Sequence, residues 1–409
     1  MQHGLRKSSA SRYKTSFAVF LIITFTAGCA HWMRYLDEFS AAIVEEVNNR
    51  SKAIFTEVLS GYNVSSNTAT VTDLTTAPPE GRAVNKTGRY VSMSQGNFDG
   101  RRVGNQLFNF AAMLHIARLT GRRVAMLRHH PYGWLDRWFE VPVTRVDNIN
   151  TELCPCVTVG EAAALAYHKD IPKLSNRTDI TGKSLLVSGW FQSWKYTLGV
   201  ESALRHHLRL LPNVSAAVHA YLDQIWPSAW IKTRQFVSRI AIHVRAGDLI
   251  SREKRREKWS FGYTIPQRPY FEQAMSRFID KLKQQQQGEE VRVQFIVTSD
   301  SLAWVKSAIN FTSIAHQFNE MSTKNKVVVN VAHSEHHEAG FDLALISLCD
   351  GVIMSTGTYG WWGAWLANKT TIYYSNWPRV HTPLFGAFKR EDFFPRDWIP
   401  IDGPAFPCC

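Results

Sequence analysis

Three short runs hold the side chains best suited to chemistry. The first is Ile242-His243-Val244-Arg245-Ala246-Gly247-Asp248. An arginine at the carboxyl end of a strand offers a planar fork of donors that fits a diphosphate and stabilises charge on a departing nucleoside diphosphate. His243 and Arg245 alternate on one strand face and are expected to enter the same cleft. A core histidine beside a surface Arg–Asp pair is the alternative. The second run is Ser355-Thr356-Gly357-Thr358, with Thr298-Ser299-Asp300 and Asp342 upstream. Hydroxyls between a strand and a helix cap the helix, and its free amides bind phosphate. Asp342, inside an otherwise apolar helix, can accept the ring N–H and amino hydrogens of guanine. Capping alone, with Asp342 facing solvent, fits the sequence as well. The third run is Gly100-Arg101-Arg102-Val103-Gly104-Asn105-Gln106, whose glycines allow close backbone approach ahead of a helix start. It is neither a P-loop nor a dinucleotide fingerprint, and alone it also reads as a turn. Trp361, Trp362 and Trp365 follow at helical spacing and are expected in the core. The charge run Arg252–Lys258 reads as a solvated loop.

These runs need a scaffold, and from about Gly88 strand-like and helix-like segments alternate. Strands are predicted over Tyr90–Ser94, Arg123–Leu127, Ser184–Ser188, Ile240–Val244, Val291–Thr298, Val327–Val331, Val352–Met354 and Thr370–Tyr374. Helices are predicted over Asn105–Thr120, from Pro269 to about Lys283, from Ser301, over Glu338–Leu348 and over Tyr359–Leu366. Such alternation implies parallel sheets covered by helices, and two blocks in tandem suggest two Rossmann-like domains, 88–235 and 236–409, with a cleft between them.

With 45% hydrophobic and 12% aromatic residues the chain can bury large cores. Its formal net charge of +13 raises the question of nucleic acid. The zinc-finger, RNA-binding and basic-zipper signatures are missing, so no nucleic-acid partner is expected, and the charge suits an anionic small molecule. Arg6, Lys7, Arg12 and Lys14 precede an apolar run without Lys, Arg, Asp or Glu. A membrane anchor over 16–33, with residues 1–15 cytoplasmic, is the favoured expectation, and a cleaved signal peptide the alternative. Residues 34–87 read as a stem, since the Ser-, Thr-, Ala- and Pro-rich stretch Val64–Glu80 has little apolar area to bury. Six N-x-S/T sequons, at Asn63, Asn85, Asn176, Asn213, Asn310 and Asn368, agree with a lumenal catalytic part. Of the cysteines beyond the anchor, Cys154, Cys156, Cys349, Cys408 and Cys409, at least one is left over, and their spacing does not suit zinc.

The runs quoted above, in order with Gly189-Trp190-Phe191-Gln192-Ser193-Trp194-Lys195-Tyr196 and Asp342-Leu343-Ala344-Leu345-Ile346-Ser347-Leu348-Cys349, resemble the α-1,2-fucosyltransferases. The resemblance spans about Met93 to Trp377. It implies a GT-B architecture, GDP-fucose as donor, a β-galactoside acceptor, inversion at the fucose anomeric carbon, no metal, and a Golgi membrane location. It makes Arg245 the β-phosphate ligand and leaving-group stabiliser, with His243 orienting donor or acceptor. Asp300, Asp342, Ser355, Thr356 and Thr358 would hold the donor, and Gly104 and Asn105 would close on it from the other domain. Asp248, ahead of Glu253, is the candidate base. One departure stands out: the family usually has adjacent arginines where this chain has Arg245-Ala246. Either the lost cation weakens donor binding, or one of Arg252, Arg255 and Arg256 replaces it. A non-catalytic carbohydrate-binding protein of the same fold, or a transferase acting on protein or an N-glycan core, are the competing readings.

Overall fold

A computed structural model describes residues 89–94, 102–128, 134–161, 163–230, 237–286, 289–321, 326–335 and 338–407. The expected tail, anchor and stem, with Asn63, Asn85, Gly100 and Arg101, lie outside them. Among the described residues no helix is long and apolar enough to cross a membrane.

Two parallel sheets carry the fold. The first has five strands, β1 (Tyr90–Met93), β2 (Arg123–Leu127), β3 (Thr144–Val146), β4 (Cys156–Gly160) and β5 (Ser184–Ser188), in the order β3-β2-β1-β5-β4. The second has six, β6 (Val237–Val244), β7 (Val291–Ser299), β8 (Val327–His333), β9 (Gly351–Met354), β10 (Thr370–Tyr374) and β11 (Ile399–Ile401), in the order β11-β10-β9-β6-β7-β8. β6 is buried along all but one of its positions. Burial on both faces explains why its sequence is a near-continuous apolar run rather than an alternating one. Register pairs His243 with Thr298 on one side and Met354 on the other, so the runs after β6, β7 and β9 emerge together.

The sheets meet through two helices. Val103–Thr120 has 12 of its 18 residues buried and ends where Gly121 turns left-handed at φ 62. It packs against Thr358–Ala367. The Phe108 ring lies 4.5 Å from Trp361 and 5.2 Å from Trp362, both tryptophans being fully buried. Removing so large a ring from a packed seam typically costs about 3–5 kcal/mol. The chain then returns to the first sheet's side: buried Asp392 accepts from the Tyr167 N–H at 2.9 Å and pairs with Lys195.

Elements not expected from the sequence include β3, β4, β11 and the helices Glu201–His207, Pro212–Gln224 and Phe311–Met321. Arg252–Lys258 is only partly a loop, since Arg255–Phe261 is helical. Cys154 and Cys156 form a disulfide, and Cys349 is a buried thiol whose pKa burial pushes up to about 12.

Candidate active site

Next to last in β6 is buried His243, whose ring lies 5.1 Å from Tyr359. Gly360 makes room for it: a Cβ there would sit 2.5 Å from Nδ1. Burial pushes the His243 pKa down to about 4, so the imidazole is neutral at pH 7.

Two residues on, the Arg245 backbone N–H donates to Ser355 Oγ at 2.9 Å, tying the end of β6 to the turn after β9. Its guanidinium stands over the Tyr263 ring at 4.4 Å, and Nη2 donates to both Asp248 oxygens at 3.2 Å. Gly357, at φ 89, leaves the space a side chain would need, because a Cβ would come within 3.0 Å of Arg245 Nη1. Buried Arg245 Nε has no hydrogen-bond partner. A buried donor left unpaired costs about 1–3 kcal/mol, a cost that a bound oxyanion removes.

The remaining expected ligand groups divide into two sets. Asp300 Oδ1 accepts from the Ala246 and Gly247 N–H groups at 2.7 and 2.9 Å, holding the turn beyond Arg245. Ser355 engages Arg245, and Thr356 Oγ1 donates to the Thr264 carbonyl at 3.4 Å. These three shape the site through the chain's own backbone. Thr358 instead reaches across the seam: its Oγ1 donates to Asn105 Oδ1 at 2.8 Å, where Gln192 Nε2 also donates at 3.0 Å. Gly104 permits that approach, since a Cβ would lie 2.8 Å from the Thr358 carbonyl carbon. The Thr358–Ala367 helix starts after Gly357 with no side-chain cap. Its first amides therefore lack a side-chain partner, beside Arg245. Asp342 is buried rather than solvent-facing and accepts from Ser334 Oγ at 2.6 Å. Burial pushes its pKa up to about 7 against the pull of that hydrogen bond.

Asp248 carries two cations. Arg102 Nη2 reaches it at 3.2 Å from the position just before the Val103–Thr120 helix. Burial alone would raise the Asp248 pKa, but Arg245 and Arg102 outweigh it and hold the carboxyl below its usual range. That suits an anion positioning Arg245 better than a base. Glu253 is exposed in the turn before Arg255–Phe261. The second guanidinium at Asp248 comes from Arg102, while Arg252 and Arg256 are exposed. Ala246 is fully buried, so its side chain faces packing rather than ligand. Tyr263 escapes sequence reasoning because it lies outside the runs singled out, and Arg102 because its partner Asp248 is 146 residues away. Gln192 lies within a quoted motif, but its partner is legible only in three dimensions.

Asn176, Asn213, Asn310 and Asn368 are exposed. No group of three or more His, Cys, Asp or Glu arranged to hold a metal occurs among the described residues. A cavity of about 660 Å³ between Arg268–Gln286, Phe311–Met321 and β11 is lined by Glu272, Arg277, Phe318 and Ile399 among others. None of the groups described above faces it.

The family model for glycosyl transferase family 11 matches residues 178–402. Galactoside alpha-(1,2)-fucosyltransferase 1 of Mus musculus is 26% identical over 310 residues, 75% of this chain and 72% of that protein. Galactoside alpha-(1,2)-fucosyltransferase 2 of Bos taurus is 24% identical over 310 residues, 75% and 78% of the two chains. Among solved structures, POFUT1 in its apo form is 11% identical, with a TM-score of 0.44 over 72% of this chain and 99% of that one. With more than half its length matched by the family model, this chain belongs to glycosyl transferase family 11.

Proposed function

We propose that the protein transfers L-fucose from GDP-fucose to the 2-hydroxyl of a β-galactoside, with inversion, in a GT-B-like arrangement anchored in the Golgi membrane by residues 16–33. The names of the relatives support the donor and acceptor. The basic-flanked apolar run and the sequons support the location. One observation carries the chemical reading: Arg245 is held at three points yet keeps a buried donor unpaired beside an uncapped helix start. Diphosphate oxygens would take that donor and the free amides. Arg245 then neutralises charge as the bond to the anomeric carbon breaks, a role for donors fixed before reaction. Neutral His243, packed on Tyr359, supports the strand end from which Arg245 projects. Asp342 accepts from guanine once deprotonated.

The test is transfer by the full chain in microsomal membranes. GDP-fucose, GDP-mannose and UDP-galactose are offered as donors, with lactose or a Ser/Thr peptide as acceptor. We expect fucosyl-lactose only, with the new linkage at the galactose 2-hydroxyl by NMR. Transfer to the peptide alone, or none from GDP-fucose, would overturn the proposal.

A further inference from the structure

Residues 263–267 carry the ring on which Arg245 stands, yet they lie in no helix and in neither sheet. Backbone groups buried in such a segment must find partners elsewhere. Residues 404–406 supply them. The Phe406 N–H donates to the Ile265 carbonyl at 2.9 Å, and the Gln267 N–H donates to the Pro404 carbonyl at 2.9 Å. Gln267 Nε2 adds a bond to the Ala405 carbonyl at 2.8 Å. Ile265 is buried, as is Thr264, whose carbonyl accepts from Thr356 Oγ1. The segment under Arg245 is thus gripped by the turn after β9 on one hand and by residues 404–406 on the other.

Phe406 also reaches a second support of the same arginine. Its ring meets Trp304 edge-on, with 5.0 Å between centroids. Trp304 belongs to the helix Leu302–Ala308, which follows Asp300 closely. The Asp300 carboxylate holds the Ala246 and Gly247 N–H groups in the turn beyond Arg245. One residue therefore touches both segments that hold Arg245: its backbone meets the one bearing Tyr263, its ring the one bearing Asp300. The residues leading to it are fixed in turn. The Gly403 carbonyl accepts from Tyr374 Oη at 2.9 Å and from Asn376 Nδ2 at 3.1 Å, which ties it to the end of β10. All of this lies past residue 402, where the match to the family model ends.

A guanidinium that stabilises a leaving group has to be held within about 0.5 Å of its working position. Resting on the reading of Arg245 as diphosphate ligand, we propose that Phe406 is a positioning residue for it. Phe406 fixes the Tyr263 and Asp300 segments relative to one another, and so sets where the Arg245 fork meets the diphosphate.

The experiment is a double-mutant cycle on the full chain, read by calorimetric GDP affinity and by kcat with GDP-fucose and lactose. Phe406→Ser should weaken GDP binding by about tenfold and lower kcat by about ten- to hundredfold, the scale of a 1 Å misplacement. KM for lactose should hold. In the Arg245→Ala background the same change should weaken GDP binding less than about twofold, because the group it positions is gone. Phe406→Tyr, which keeps a ring against Trp304, should recover most of both losses. If the serine variant does not fold, Phe406→Leu carries the same comparison. Wild-type GDP affinity and kcat in a folded Phe406→Ser protein, whatever its Tm, reduce residues 404–406 to a brace and overturn the proposal. So does a loss of GDP affinity that is equal with and without Arg245. Should no galactoside be fucosylated, the transferase reading fails separately, and the GDP comparison still decides whether Phe406 acts through Arg245.

Discussion

On the second-sheet side of the site Arg245 is 17% exposed, stacked on Tyr263, paired with Asp248 and tied to Ser355. On the first-sheet side Arg102 is 67% exposed and reaches the same carboxylate from the position just before its helix. Two guanidiniums on one carboxylate thus sit in different media. The buried one acts in low dielectric with its geometry fixed in advance, so its charge keeps most of its strength. The exposed one is screened by water and loses side-chain entropy on pairing, so it contributes little. The difference teaches that the leaving-group machinery is built into one sheet, while the other supplies a closing contact.

The largest expected effect follows directly. Arg245→Ala should lower kcat by about 10²–10³, and Arg245→Lys should recover only part because the planar fork is lost. Steady-state assays with GDP-fucose and lactose measure both. Unchanged turnover in Arg245→Ala would place the leaving-group stabiliser elsewhere.

The next effect is a pH dependence with two opposed slopes. Asp342 has a folded pKa of about 7, against an unfolded value of about 3.9. Between those values the folded protein holds a proton that the unfolded chain has released. The stability this contributes is full below the unfolded value and is lost as pH rises through 7. GDP binding runs the other way, because only the carboxylate accepts guanine N–H groups. Calorimetry with GDP should show roughly tenfold weaker binding per pH unit below about 7. Thermal unfolding of the free protein should show stability falling from pH 5 to 8. Asp342→Asn should flatten both curves. Parallel slopes would remove Asp342 from the nucleotide site.

The sequence reveals these two sides unequally. Bounds for β2, β5 and β10 are those predicted, and the long buried strands β6 and β7 are found with ends short by a few residues. Long apolar runs bounded by turn residues leave little ambiguity. β3 and β11 have three residues each, and β4 is a half-exposed edge, so none carries enough pattern to announce itself. In the site, Thr358 meets Asn105 and Arg245 meets Ser355, pairs drawn from separate motifs. Ser355, Thr356 and Asp300 engage backbone groups, neighbours that motif reading does not show. Asp248 reads as a base in the sequence for a related reason, since its second cation, 146 residues away, is out of view there.

The smallest expected effect probes that second cation. Arg102→Ala should change kcat/KM by about two- to fivefold, the scale of an exposed ion pair. Because the Debye length shrinks from about 10 Å at 0.1 M salt to about 3 Å at 1 M, wild type and variant should converge as salt is added. Arg245→Ala should keep its deficit at every salt concentration, since a buried guanidinium is screened far less. A loss in Arg102→Ala as large and as salt-resistant as that in Arg245→Ala would mean that Arg102 is buried when donor binds. The two sides would then be equal partners in the catalytic step.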